Sequence, residues 1–167
     1  MKTISLMRHG DAPYSPLGND FNRVLSERGK EEAKEAARYL DANYQIDLVI
    51  SSDAPRAKET AEIILKTLDN KAIVHKLDHE IYKGLREELL SQIILSNLVA
   101  KHPLIIGHNP SILESIISIL NKDSEDYNNI AIQSMRTCQI ITFNITNKKE
   151  GRCFFKLDDI FVPNEIL

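Results

Sequence analysis

The sequence predicts a layered α/β fold, on three observations. Strand-like runs alternate along the chain with segments whose apolar residues recur at helical spacing, as in stacked sheets and helices. Three of those runs, "TISLM" (3–7), "DLVIS" (47–51) and "PLIIG" (103–107), are short and bounded by Pro, Gly or Asp. Such runs suit strands covered on both faces. At 167 residues with 43% hydrophobic content, the chain is long enough for one domain, residues 1–167, with a core that folds unaided.

Each helix has its own signal. "SERGKEEAKEAARYLDAN" offers Ser26 as N-cap and places Ala33, Ala36, Ala37 and Leu40 on one stripe. "DAPRAKETAEIILKTL" offers Asp53 as N-cap with Pro55 just inside, where the missing N–H is not needed. "REELLSQIILSNLVAKH" and "NPSILESIISIL" follow, the latter with Asn109 as cap and Pro110 as first helical residue. Residues 115–120 of that helix read as core packing. Residues 69–102 are expected to hold one short strand-like piece and one helix. The tail alternates like two antiparallel strands, "CQIITFNI" and "GRCFFKLDDIFV", joined by the turn "TNKKEG". The longest irregular piece, 10–25, has the length of a functional loop.

Composition excludes several classes. There are 21 basic and 24 acidic residues, a net charge of -3, and no long block of one sign, which argues against a nucleic-acid or membrane-surface binder. "MKTISLMRHGDA" has no apolar h-region with a cleavage site, and no run of about eighteen apolar residues occurs. A soluble, cytoplasmic chain is expected. Cys138 and Cys153 form no CxxC pair and read as reduced core thiols, not as a disulfide or zinc framework.

The strand ends carry the chemistry. The first finishes in Arg8-His9-Gly10, the second in Ser51-Ser52 with Arg56 in the following helix, and the third in Gly107-His108-Asn109. In open α/β sheets the carboxyl ends of the strands are where ligands bind. Helix N-termini beside them favour an anion. Arginine offers a planar, permanently charged fork that suits phosphoryl oxygens, so Arg8 and Arg56 read as phosphate ligands. A histidine with one ring nitrogen held by a hydrogen bond and the other unprotonated is a nucleophile. His9 is expected to attack phosphorus and His108 to stabilise the equatorial oxygens. No metal is expected: flanking arginines repel a cation and no carboxylate cluster accompanies the histidines.

"MRHG", "SSDAPRAKETA" and "IIGHNP", in that order and in those strand–helix contexts, resemble the histidine phosphatase superfamily, the branch that includes phosphoglycerate mutases. The resemblance covers about residues 2–145. It implies a three-layer α/β/α sandwich with a mostly parallel central sheet, and catalysis by Arg8, His9, Arg56 and His108 without a cofactor. "MRHGDA", "NRVLSERG" and the short length look most like the small phosphohistidine phosphatases of the SixA type. That resemblance implies Arg23 at the pocket rim and Asn109 beside it as substrate contacts. It also implies hydrolysis of phosphohistidine on a signalling or phosphotransfer protein, such as a histidine phosphotransfer domain, with phosphate as product.

Mutases add a carboxylic acid that protonates an alkoxide leaving group. Between Arg56 and His108 this chain offers Asp78, Glu80, Glu87 and Glu88; Glu80 is the candidate, although solvated charges are the plainer reading. Imidazole titrates near pH ~6.5 and leaves without a strong acid, so a weak acid signal favours phosphohistidine. The alternatives are a small-molecule or phosphoserine phosphatase, a mutase, and a phosphate-binding module without turnover. His75, His79 and His102 lie outside the motifs and read as surface or boundary residues.

Overall fold

The computed structural model describes residues 2–14, 16, 18–68, 72–132, 134–147 and 153–164. One six-stranded sheet runs in the order β3-β2-β4-β1-β5-β6. Its members are β1 (Lys2–Arg8), β2 (Leu48–Ser52), β3 (Val74–Asp78), β4 (Pro103–Gly107), β5 (Ile140–Asn147) and β6 (Cys153–Phe161). The first four are mutually parallel; β5 runs antiparallel to β1, and β6 antiparallel to β5. The turn expected between the last two strands falls largely on 148–152, outside the described residues.

Alternation along the strands sends successive side chains to opposite faces. Ile4, Leu6, Leu48, Ile50 and Ile105 pack against Leu89 and Ile93 of α4 (Arg86–Val99), Ile112 and Ile116 of α5 (Ser111–Ile119) and Ile130 of α6 (Glu125–Ala131). Met7, Val49, Leu104 and Ile106 face the other way, onto α1 (Glu27–Asn43) and α2 (Pro55–Leu68). The result is the three-layer sandwich implied by the motifs. The stripe Ala33, Ala36, Ala37 and Leu40 is fully buried, and its small side chains let α1 lie close to Ala57 and Ala61 of α2. Ser26 caps α1 as expected, its hydroxyl accepting from the Gly29 amide.

Elsewhere the ends differ from expectation. Asp53 does not cap α2, which begins at Pro55. The Ser52 hydroxyl accepts from the Ala54 amide instead, and the Asp53 carboxylate turns outward to His79 Nδ1 at 2.8 Å. Asn109 does not cap α5: Pro110 takes the cap position after a cis peptide bond, Ser111 is the first helical residue, and Asn109 Nδ2 donates to the Met135 carbonyl. Between α2 and β4 the described residues hold β3 and two helices, not one. The extra helix α3 (His79–Lys83) is capped by the Asp78 carboxylate on the Glu80 amide and ended by Gly84 at φ 72°, where glycine carries no steric penalty. Of the two cysteines, Cys138 is buried in the core but Cys153 is exposed. No helix among the described residues is long and apolar enough to cross a membrane.

Candidate active site

Sheet register brings the two motif histidines together. Arg8 of β1 pairs with Gly107 of β4, and the ladder continues one step further as the His9 amide donates to the Gly107 carbonyl at 3.1 Å. His9 and His108 therefore leave adjacent strands at the same level, with ring centroids 4.9 Å apart and planes tilted by 58°. Both rings are buried. His9 Nδ1 lies 2.7 Å from the Gly10 carbonyl. A carbonyl only accepts, so Nδ1 carries the proton and Nε2 keeps its lone pair. That lone pair faces Arg56, whose Nε–H donates to it at 3.2 Å.

The bend that aims His9 depends on close backbone packing. A side chain at Gly10 would put its Cβ 2.7 Å from the Gly29 carbonyl oxygen, and one at Gly29 would overlap the Asp11 carbonyl. The Gly10 amide donates to Thr60 Oγ1 at 3.1 Å, tying the bend to α2. Beyond it, Asp11 accepts from the Ser26 hydroxyl at 2.6 Å and donates its amide to Glu32 at 3.0 Å. The start of the 10–25 loop is thus fastened to the first turn of α1.

Arginines surround the histidines. Buried Arg56 gives Nη1 to the Asp20 carbonyl at 2.7 Å and Nη2 to the Asp20 carboxylate at 3.1 Å. Arg8 Nη1 donates to the Met135 carbonyl at 2.8 Å, which leaves its buried Nε unpartnered. Arg23 lies at the rim, with Nη1 on Asp20 at 2.9 Å and further donors on the Pro13 and Ala12 carbonyls. Tyr82 closes one wall, T-shaped against His108 at 5.7 Å and against Phe21 at 4.8 Å.

Among the described residues, four of the seven buried polar side-chain atoms without a partner belong to this group: Arg8 Nε, both ring nitrogens of His108 and Asn109 Oδ1. Leaving such groups unsatisfied costs about 1–3 kcal/mol each, which an incoming ligand with complementary atoms recovers. Buried arginine donors and neutral histidine rings suit an oxyanion. Among the described residues no group of three or more His, Cys, Asp or Glu side chains is placed to hold a metal ion.

Burial, then the neighbouring His108 ring and the arginines, hold His9 down to about 3; burial and Arg56 hold His108 down to about 4. Both rings are therefore neutral at pH 7, as a nucleophile requires. His102, also buried, is held at about 4. An unfolded histidine titrates near 6.5, so below that pH the unfolded chain takes up protons that the folded chain refuses. Folding stability is expected to be at its plateau above about pH 6.5 and to fall as pH drops toward 4, at up to about 1.4 kcal/mol per pH unit per histidine. Urea unfolding at pH 7.0, 5.5 and 4.5 measures this, and His102→Gln should flatten the slope.

Arg8, His9, Arg56 and His108 converge, with Arg23 and Asn109 at the edge of the same group. Glu80 is not drawn in: its carboxylate pairs with Lys83 at 2.6 Å, one turn along α3. Glu87 and Glu88 occupy the first turn of α4. Of the remaining histidines, His79 is exposed, His75 is partly buried against Ser51, and His102 is buried, not peripheral, with Nε2 2.8 Å from Ser5 Oγ. Sequence reasoning missed Asp20 and Tyr82. The one available signal for Asp20 was its place three residues before Arg23, where a short 3-10 turn (Asp20–Asn22) brings the two side chains together.

Comparison with known proteins bears on the fold and the family. The chain is 44% identical over 68 residues to the mitochondrial serine/threonine-protein phosphatase Pgam5 of Drosophila willistoni, a match spanning 40% of this chain and 23% of that relative. The crystal structure of the SixA protein of Agrobacterium tumefaciens superposes with a TM-score of 0.81 at 23% identity, covering 97% of this chain and 98% of that one. The protein histidine phosphatase SixA complexed with tungstate superposes with a TM-score of 0.73 at 22% identity, covering 92% and 94%. At these identities the superpositions show the fold. Residues 4–102, more than half of the chain, match the histidine phosphatase superfamily (branch 1), and the chain belongs to that superfamily.

Proposed function

We propose that the chain is a metal-independent phosphatase that removes phosphate from phosphohistidine on a cytoplasmic signalling or phosphotransfer protein, such as a histidine phosphotransfer domain. The observation that carries this reading is the orientation of His9: the Gly10 carbonyl fixes the proton on Nδ1, so the Nε2 lone pair points into a cluster of arginine and histidine donors. In the first step Nε2 attacks phosphorus, the P–N bond to the substrate imidazole breaks, and that ring leaves neutral, keeping the proton already carried on its other nitrogen. In the second, water attacks the phosphoenzyme, the bond to Nε2 breaks, and inorganic phosphate departs. Arg8, Arg56 and His108 hold the equatorial oxygens through both steps, and Arg23 and Asn109 contact the substrate at the rim. Positioned donors of this kind supply most of the catalysis in phosphoryl transfer.

The engagement of the Glu80 carboxylate by Lys83 at 2.6 Å favours phosphohistidine, whose leaving group needs little acid assistance. A second reading, hydrolysis of phosphoserine or a small phosphate ester, is favoured by the identity shared with a relative named as a serine/threonine-protein phosphatase. Parallel assays of a phosphohistidine protein and a phosphoserine peptide separate the two. Glu80→Gln is expected to leave phosphohistidine turnover within about twofold, because no general-acid step is lost. A fall of about 100-fold confined to the monoester would make Glu80 its acid and move the assignment to the second reading. Retained phosphate binding with no turnover of either substrate would leave a binding module.

A further inference from the structure

Each of the three guanidinium nitrogens of Arg56 has a partner. Its Nε–H lies on the lone pair of His9, and its Nη1 and Nη2 lie on the carbonyl and carboxylate of Asp20. Asp20 is held in turn by Arg23 Nη1 at 2.9 Å and by the Tyr82 hydroxyl at 3.3 Å. The two oxygens of one carboxylate therefore take a donor from each of two arginines and from a tyrosine, as two oxygens of a phosphoryl group would. The backbone sets this up: Asn19 Oδ1 caps the 3-10 turn on the Phe21 amide, and the Arg56 amide donates to the Arg23 carbonyl at 3.2 Å. Yet the Asp20 side chain is 51% exposed, so it can swing into water without opening the core.

Resting on the phosphatase reading above, we propose that Asp20 is a positioning residue that stands in for the substrate's phosphoryl group: at rest it holds Arg56 across the nucleophilic lone pair of His9, and it yields its donors when a phosphoryl dianion arrives. The exchange sets a charge threshold. A dianion outcompetes a carboxylate because it carries more charge and can also reach the unpartnered Arg8 Nε and His108 nitrogens, whereas a monoanion gains little over Asp20. The hydrogen bond from Arg23 and the field of Arg56 keep the Asp20 carboxyl below its usual range, so the stand-in is charged at neutral pH.

Calorimetry with inorganic phosphate and tungstate, together with KM and kcat, tests the idea on Asp20→Asn and Tyr82→Phe. Asp20→Asn removes the competing charge and is expected to bind phosphate about tenfold more tightly, or ~1.4 kcal/mol, with a lower KM and no rise in kcat. Tyr82→Phe removes one of the stand-in's bonds and should shift both values the same way by about two- to threefold. A merely structural role would lower kcat and weaken binding. Equal or weaker phosphate binding in a folded Asp20→Asn protein overturns the proposal; should that variant unfold, equal or weaker binding by Tyr82→Phe does the same. A wild type that binds neither anion and shows no His9-dependent turnover would overturn the phosphatase reading itself. Wild-type binding and turnover without tightening in either variant would remove only the role given to Asp20.

Discussion

Turnover is expected to fall by about 10⁴-fold or more when His9 is replaced by alanine, as it does when a covalent nucleophile is deleted. His108 cannot substitute, although its ring lies only 4.9 Å away. Neither of its nitrogens has a hydrogen-bond partner to fix the tautomer and aim a lone pair, whereas His9 is held by the Gly10 carbonyl. Binding should behave differently from rate. Arg8, Arg56 and His108 all survive the substitution, so tungstate affinity should stay within a few-fold of wild type. Steady-state assays set beside calorimetry separate the two, and a parallel loss of binding would mean that His9 helps to hold the anion rather than attack it.

Gly29→Ala is expected to be the most damaging single-methyl substitution in this part of the chain. Its Cβ would lie 2.8 Å from the Asp11 amide nitrogen and overlap the adjoining carbonyl, and both are backbone atoms that cannot rotate away. The same segment is pinned on its other side, since the Ser26 amide donates to the Asp11 carbonyl at 2.9 Å. A loss of about 3 kcal/mol or more is expected, in the range of severe packing defects. Urea denaturation should show a lower midpoint with an unchanged slope. Activity should drop as well in the fraction that folds, because Asp11 lies two residues after His9. A stability change below about 1 kcal/mol would mean that the loop moves away freely and does not set the aim of His9.

The parts of the fold that were legible in the sequence are those set by local chemistry. Ser26 is a polar cap followed by a stripe of alanines, and neither feature needs distant information to be read. Asp53 and Asn109 show the limit. Each has the right residue type for a cap beside a proline, but a tertiary partner, His79 for one and the Met135 carbonyl for the other, took the side chain. The α3 helix was hidden for another reason: five residues are too few to display a period, and only the Asp78 cap and the left-handed Gly84 define it. His102 looked peripheral because the sequence cannot reveal Ser5, 97 positions away, as its partner.

The site divides along the same line. Arg8, His9 and His108 were legible because each ends or directly follows a buried strand, where register aligns them, and Arg56 because it lies in the first turn of the helix that follows another. Asp20 was not, since an acidic residue in an irregular loop carries no sign that two arginines will close on it. Glu80 presents the opposite case: the sequence singled it out by its position between the motifs, and the fold pairs it with Lys83 one turn along a short helix. Residue type identified chemistry at strand ends, while in loops the tertiary partner decided.

A nucleophilic His9 requires that phosphate pass through a covalent bond to its Nε2. Rapid quenching of the wild-type protein with a ³²P-labelled phosphohistidine substrate, followed by peptide mapping under alkaline conditions that preserve phosphohistidine, tests it most directly. Label should appear on the peptide carrying His9 before inorganic phosphate accumulates, decay as phosphate is released, and be absent from His9→Ala. Phosphate release at the full rate with no label on His9, or with label on His108 instead, would contradict the claim.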